Sequence, residues 1–251
     1  MVKTVDSFSS AETMPTDLSQ ATLRWILSIA DTKHRIGMQF SHWVTGTPAL
    51  EAAVGSAAIT QDELGHARSL YGLLRKYPGA PEGVGAENDL EARDVYYTPI
   101  DLMPRWESWL QVIAINIVLD TALSSAIAAT KNSAFAPLAG RTSKMLQEER
   151  FHRMFGEQWL KRLLTQDANR EAMIEALHWA WAVTTVWLGP DDDPITAQLA
   201  AAGVLNRNSA EIRAHWLATV TPIFEANGLT VPTMTPDWVR WNSEFRHIVP
   251  L

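Results

Sequence analysis

The sequence contains no cysteine among its 251 residues. This absence excludes disulfide bonds, metal sites built on thiolates and iron–sulfur clusters held by cysteine. Any metal ion must therefore be held mainly by aspartate, glutamate and histidine side chains. A chain without disulfides also fits the reducing cytoplasm, which is the localisation that we expect.

Long apolar runs are missing as well. No run of apolar residues reaches the length of a membrane span, so we expect no transmembrane helix and no membrane as a partner. The beginning of the chain is polar and lacks the apolar stretch of a signal peptide. We predict a flexible N-terminal tail over residues 1–15 and a single helical domain over residues 16–251.

Positive charge and nucleotide-binding motifs are scarce. The net charge is -7, which argues against nucleic acid or an anionic membrane as the main partner. The sequence has no glycine-rich phosphate loop and no dinucleotide fingerprint, so a nicotinamide cofactor would have to bind a partner protein.

The chain does contain long helical patterns separated by proline and glycine. No segment alternates polar and apolar residues as a strand would, so we predict an all-α fold. The first four helices have similar lengths and are predicted to form a four-helix bundle with additional C-terminal helices. A loop is predicted over residues 80–104 and irregular structure over the last 25 residues. The predicted helices cover residues 16–43, 47–76, 105–130, 137–164, 168–188 and 209–220.

Two glutamate–histidine pairs with a spacing of three residues stand in these helices: Glu63 with His66, and Glu149 with His152. Side chains three apart share a helix face, so each pair can bind the same metal ion, and two facing helices can bind two ions. Two further pairs have this spacing and are predicted to be structural or solvated: Glu175 with His178, and Glu244 with His247.

Asp120 is the only acidic residue in the mostly apolar stretch 112–129. A buried carboxylate is unfavourable unless something compensates its charge. We favour a metal ion as that compensation, and a salt bridge from a neighbouring helix is the alternative. On the first helix, Asp31 and His34 are further candidate ligands, with Lys33 between them. Either one can complete the site, or both can be ordinary polar residues.

We predict that these residues form the ligand set of a ferritin-like di-iron bundle, in which the first-helix ligand is still open. Carboxylates and imidazoles without sulfur suit iron or manganese, and a site without metal is the alternative. Asp62 and Glu148 precede the ligand glutamates and are candidates to orient the histidines. The predicted metal ligands are Glu63, His66, Asp120, Glu149 and His152.

Three segments resemble the phenylacetyl-CoA ring epoxidase family of phenylacetate catabolism. The sequences QDELGHA (61–67) and EERFH (148–152) resemble its two ligand motifs, and HWVTGTPAL (42–50) resembles its helix connection. The resemblance implies a ferritin-like fold, other subunits of a multicomponent oxygenase, a flavin and iron–sulfur reductase as electron source, and a CoA-thioester substrate.

That family contains a catalytic di-iron subunit and a related structural subunit without metal. The sequence resembles the catalytic type at both ligand motifs but has Lys33 where a first-helix glutamate is expected. We favour a di-iron monooxygenase or epoxidase subunit acting on a CoA thioester or a related small aromatic acid. The alternatives are the metal-free structural subunit and a stand-alone ferritin-like oxidase. The 11 tryptophans and the resemblance suggest an oligomer.

Overall fold

The computed structural model of the protein describes residues 7–84, 93 and 95–249. Their regular structure is almost entirely helical, which confirms the predicted all-α, ferritin-like bundle. The helices are α1 (Thr16–Trp43), α2 (Leu50–Leu74), α3 (Trp109–Ile115), α4 (Thr121–Ala128), α5 (Ala136–Leu164), α6 (Asp167–Leu188), α7 (Pro194–Ala201) and α8 (Ser209–Ala226). A π-helical turn, Asn116–Asp120, joins α3 to α4. After α8 the chain forms an antiparallel hairpin of two short strands, β1 (Trp241–Asn242) and β2 (His247–Ile248).

Four helical segments form the bundle: α1, α2, α5, and α3 continued through the π turn into α4. Helix α1 pairs with α2, and α5 packs against α2, α4 and the π turn. The later helices surround this bundle, with α6 on α3, α7 on α1 and α8 on α4. Residues 25–34 of α1 are therefore all buried. Polar side chains in this run need partners inside the core.

The third predicted helix begins later than predicted and is not a uniform α-helix. It starts at Trp109 because Ser108 forms a capping box, in which Ser108 Oγ accepts a hydrogen bond from Gln111 N and Gln111 Oε1 accepts one from Ser108 N. The π turn that interrupts it carries no signal in the sequence pattern. The second helix also starts later, at Leu50 rather than residue 47.

The C-terminal part contains more regular structure than predicted. Helix α7 was missed. It starts directly after the break, where Asp193 Oδ1 accepts a hydrogen bond from Ile195 N. Helix α8 continues through Pro222, where the next two residues are buried against the core. The predicted loop 80–104 contains a 3₁₀ turn, Ile100–Leu102, and part of this loop lies outside the described residues.

The final hairpin is anchored rather than irregular. The buried guanidinium of Arg246 pairs with Asp193 Oδ2 at 3.0 Å and lies over the rings of Trp25 and Trp187, 5.4 and 5.5 Å from their centroids. Cation–π contacts of this kind are strongest where water is excluded. They hold the end of the chain against α1 and α6.

The predicted N-terminal tail lies partly outside the described residues, which begin at residue 7. Phe8 N donates to Ala134 O at 2.7 Å, Ala136 N donates to Phe8 O at 3.1 Å, and Met14 is buried. The single-domain organisation over residues 16–251 and the flexibility of residues 1–15 stay predictions.

Among the described residues, one segment has the length and composition of a membrane span, although the sequence analysis expected none. It covers Trp109–Ala128, and most of it is buried inside the protein. Its apolar character follows from its position, since it is covered by α5, α6 and α8.

Candidate functional site

The ammonium group of Lys33 lies at the centre of the bundle, in contact with three carboxylates. Lys33 Nζ is 3.0 Å from Glu63 Oε1 and 2.6 Å from Glu149 Oε1, and it also donates to Asp120 Oδ1. Lys33 and Glu63 have no solvent exposure, and Asp120 and Glu149 have 2% and 4%. One cation from α1 thus contacts carboxylates from α2, the π turn and α5. We call these four residues the Lys33 cluster.

His152 extends the cluster on the α5 side. Its Nδ1 lies 3.2 Å from Asp120 Oδ2 and 3.2 Å from Glu63 Oε1, and its Nε2 lies 3.3 Å from Asp62 Oδ2. The ring is fully buried, whereas the Asp62 side chain is 29% exposed. The inner nitrogen therefore faces the cluster and the outer nitrogen faces a partly solvated carboxylate.

His66 has the corresponding arrangement on the α2 side. Its Nδ1 lies 3.2 Å from Glu149 Oε1, and its Nε2 lies 2.8 Å from Glu148 Oε2. Each histidine is thus oriented by the acidic residue that precedes the ligand glutamate of the opposite helix. Such outer carboxylates fix the ring orientation of metal-binding histidines, as expected for Asp62 and Glu148.

The charges of the cluster depend on one another. Burial opposes the charged form of Lys33, but attraction to the three carboxylates outweighs it and holds the pKa of Lys33 well above its usual value. Burial likewise opposes protonation of His152, but its hydrogen bonds to carboxylates raise the pKa to about 12. Burial and repulsion from Asp120 raise the pKa of Glu63 to about 7. Burial also opposes ionisation of Asp120, but Lys33 and His152 hold its pKa below the usual value. Lys33, His152 and Asp120 therefore keep their charges because oppositely charged groups contact them.

Two glycines let the helices approach closely enough to form the cluster. A Cβ on Gly37 of α1 would lie 3.0 Å from the Leu64 side chain and 3.1 Å from Glu63 Cβ on α2. A Cβ on Gly156 of α5 would clash with Asn116 Oδ1 of the π turn. A larger residue at either position would separate the elements that supply the charged groups.

Ser124 is a contact of the site that the sequence analysis did not identify. It lies four residues after Asp120, on the same helix face, and its Oγ donates to Glu149 Oε2 at 2.6 Å. The spacing from Asp120 was the available signal. A serine at such a position is common in helices, so the spacing alone is not specific.

Asp31 does not join the Lys33 cluster. It is two residues from Lys33, which places it roughly 200° around the helix. Its carboxylate pairs with Arg93, accepts from Tyr71 Oη at 2.6 Å and accepts from Tyr97 N at 2.7 Å. Its negative charge is therefore satisfied by Arg93 from the loop that precedes α3.

His34 also lies outside the cluster. Its side chain is 2% exposed, and its Nδ1 has no hydrogen-bond partner among the described residues. Burial, reinforced by the nearby positive charges of Arg35 and Arg93, lowers its pKa to about 4. At neutral pH it is an uncharged core side chain. The other two glutamate–histidine pairs lie outside the cluster too, with Glu175 and His178 exposed and Glu244 beside Arg24 at 3.5 Å.

The donor set can be compared with that of a di-iron pair. A ferritin-like di-iron centre uses a Glu-x-x-His pair from each of two helices and a carboxylate from each of the other two. Here α2 and α5 provide the pairs and the π turn provides Asp120, but α1 places an ammonium where the fourth carboxylate is required. The residues therefore do not fit two iron ions. Four residues each offer one ligand atom, and these atoms lie within 4.8 Å of one another: Glu63, Asp120, Glu149 and His152. They can hold one metal ion if Lys33 withdraws.

Comparisons with known proteins place the chain in a family. The profile described as phenylacetic acid catabolic protein matches residues 3–248, which is nearly the whole chain. No curated protein matches the sequence. The family match confirms the resemblance seen at the two ligand motifs. The chain therefore belongs to the phenylacetic acid catabolic protein family, and its function lies in the catabolism of phenylacetate.

Proposed function

We propose that this chain is a metal-free structural subunit of a multisubunit oxygenase of phenylacetate catabolism. The observation that supports this role is the contact of Lys33 Nζ with Glu63, Asp120 and Glu149 inside the bundle. The ammonium group takes the place that a cation would take among these carboxylates. The chemistry on a CoA thioester or a related aromatic acid then belongs to a partner subunit, with electrons from a reductase.

The charge balance of the cluster supports this proposal. The three buried carboxylates already share two cations, Lys33 and the protonated form of His152, whose pKa is raised to about 12 by its hydrogen bonds to carboxylates. A divalent cation entering the same space would meet two positive charges at close range, which is strongly unfavourable in a dry interior. Metal binding would require Lys33 to leave a site in which it is fully buried.

In this role the ligand residues have become a structural network. One ammonium group connects α1 with α2, the π turn and α5, so it joins all four segments of the bundle. Buried ion pairs of this kind contribute little net stability but impose a high penalty when one partner is lost. An arrangement of the four helices that separated Lys33 from its carboxylates would therefore be disfavoured.

A second candidate is the catalytic di-iron subunit, an O₂-dependent monooxygenase or epoxidase. Its support is the orientation of the histidines, since both place Nδ1 towards the cluster and Nε2 towards an outer carboxylate. Metal-binding histidines are oriented in this manner. This candidate requires a fourth carboxylate, and Asp31 is already engaged by Arg93.

Metal content separates the two candidates. Wild-type protein, Lys33→Glu and the control Lys161→Glu, which reverses an exposed lysine of α5, would be produced with iron and manganese and analysed by elemental mass spectrometry. We expect no stoichiometric metal in wild type and in the control, and a gain of metal in Lys33→Glu, because that change supplies the missing carboxylate. Circular dichroism would verify that all three are folded.

The opposite result is equally clear. About two irons per wild-type chain, as a di-iron bundle requires, would overturn the structural role and establish the catalytic one. Absence of metal in both wild type and a folded Lys33→Glu would support the structural role but show that more than the first ligand has changed.

A further inference from the structure

A cavity of about 350 Å³ lies between the π turn with α4, helix α5 and helix α8. Its inner wall contains Asp120 and Glu149 of the Lys33 cluster, and its outer part is lined by Arg150, Arg153 and His215. Cavities of this volume are typical of small-ligand sites. The cavity therefore connects the surface of α5 and α8 with the centre of the bundle.

The inner part of the cavity offers mainly hydrogen-bond acceptors. Ser124 Oγ donates to Glu149 Oε2, Thr121 Oγ1 donates to Ile117 O, and Ser125 Oγ donates to Thr121 O at 3.1 Å and lies 3.0 Å from His215 Nδ1. The three hydroxyl hydrogens are thus used within the protein, while lone pairs of the Ser124 and Thr121 oxygens remain. A ligand group that reaches this end must donate a hydrogen bond.

The outer part of the cavity offers donors and positive charge. Arg150 and Arg153 are three residues apart on α5 and project from the same face. Arg153 pairs loosely with Glu157 at 3.4 Å, whereas Arg150 forms no ion pair with any described residue. Guanidinium groups bind carboxylates through paired, charge-assisted hydrogen bonds.

The π turn, Asn116–Asp120, contributes Asn116 and Asp120 to the lining of the cavity. Short π-helical turns inside α-helices are rare and occur frequently at functional sites, because the extra residue changes the direction of the side chains. No phenylalanine, tyrosine or tryptophan occurs among the described residues that line the cavity. The lining of the cavity thus suits a small aliphatic ligand rather than an aromatic ring.

From this arrangement we infer that the cavity binds a small aliphatic hydroxy acid. Its carboxylate pairs with Arg150 and Arg153, and its hydroxyl group donates to the oxygens around Ser124 and Glu149. A hydroxyl suits the inner end better than a second ammonium, because Lys33 already donates to Glu149 at 2.6 Å. The inference goes beyond the proposed structural role, since it gives this chain a ligand of its own.

Calorimetric titration with three probes of similar size tests the inference. The probes are 4-hydroxybutanoate, butanoate without the inner donor, and butane-1,4-diol without the carboxylate. At low ionic strength we expect 4-hydroxybutanoate to bind at least about tenfold more tightly than either comparator, since each lacks one of the two polar interactions. Equal affinity for all three probes would overturn the proposed mode of recognition.

Charge-removing variants locate the site. Arg150→Gln combined with Arg153→Gln is expected to weaken binding of 4-hydroxybutanoate by about tenfold or more, because the charge-assisted bonds are lost. The matched control Arg170→Gln removes an exposed arginine of α6 outside the cavity and should leave the affinity unchanged. All three positions are exposed, so folding is not at risk. No binding to wild type up to about 10 mM, or unchanged affinity in the double variant, would refute the site.

Discussion

Lys33 Nζ and Glu149 Oε1 lie 2.6 Å apart at the centre of the bundle, both shielded from solvent. Lys33 belongs to α1 and Glu149 to α5, and the two residues are 116 positions apart in the chain. Their contact places a lysine at the point where metal-binding members of this fold class have carboxylates around an ion.

Removing the ammonium group should destabilise the bundle. In Lys33→Met, measured with a chelator present so that no metal replaces the charge, we expect a loss of about 3–5 kcal/mol in the free energy of unfolding, because three buried carboxylates lose their shared partner. Urea denaturation followed by circular dichroism gives the value, and Lys161→Met serves as the exposed control. A loss no larger than that of the control would mean that the carboxylates are compensated without Lys33.

The stability of the protein should depend on pH through His34. Its pKa in the folded state is lowered to about 4 by burial, below the ordinary value of 6.5. The unfolded chain therefore binds the proton first, and stability is lost as the pH falls from about 6.5 to about 4. The loss from this residue should be about 3 kcal/mol, from the shift in pKa.

The matched variant His34→Gln isolates this contribution. Denaturation of both proteins at several pH values gives the difference in unfolding free energy, and that difference should change by about 3 kcal/mol between pH 7 and pH 4. Other titrating groups act equally on both proteins. Parallel stability curves would show that His34 is solvated or protonated in the folded state.

The pair of Asp31 and Arg93 should be strongly coupled. Arg93→Gln leaves the buried Asp31 carboxylate without its cation, and we expect a loss of about 3 kcal/mol in unfolding free energy. Asp31→Asn combined with Arg93→Gln should lose less than the sum of the two single variants, because neither charge is then unpaired. A double-mutant cycle by urea denaturation measures the coupling, and strict additivity would contradict the ion pair.

Two glycines of the bundle should respond to alanine in opposite directions. Gly156→Ala places a methyl group against Asn116 and 2.9 Å from Ile117 Cδ1, so we expect a loss of about 1–3 kcal/mol from overpacking. Gly65→Ala adds a methyl group with no atom within 4 Å and should stabilise α2 by about 0.5–1 kcal/mol through helix propensity. Thermal denaturation provides both values. Equal effects at the two positions would show that α5 does not approach the π turn so closely.

Much of the fold was predictable from local pattern. Helix α1 has the predicted bounds, because Pro15 precedes it and Gly46 follows it. The π turn was not predicted, since it depends on packing of the surrounding helices. Helix α7 was missed although its start is marked locally by Asp193 as cap and Pro194 as first residue, because the helix has only eight residues. Local sequence signals report helices well when they are long and bounded by proline or glycine, and poorly when contacts from elsewhere decide.

By itself, the sequence determined which residues can form a metal-binding or ionic site: the absence of cysteine and the two Glu-x-x-His pairs restrict it to carboxylates and imidazoles. It also determined that an acidic residue at position 120 needs a buried partner. The tertiary structure alone decided which residue that partner is. Asp31, Lys33 and His34 all lie in the buried part of α1, and the helix direction gives the cluster only Lys33. Side chains separated by two positions point to different sides of a helix, so only the packing of α1 against its neighbours selects the one that meets the carboxylates.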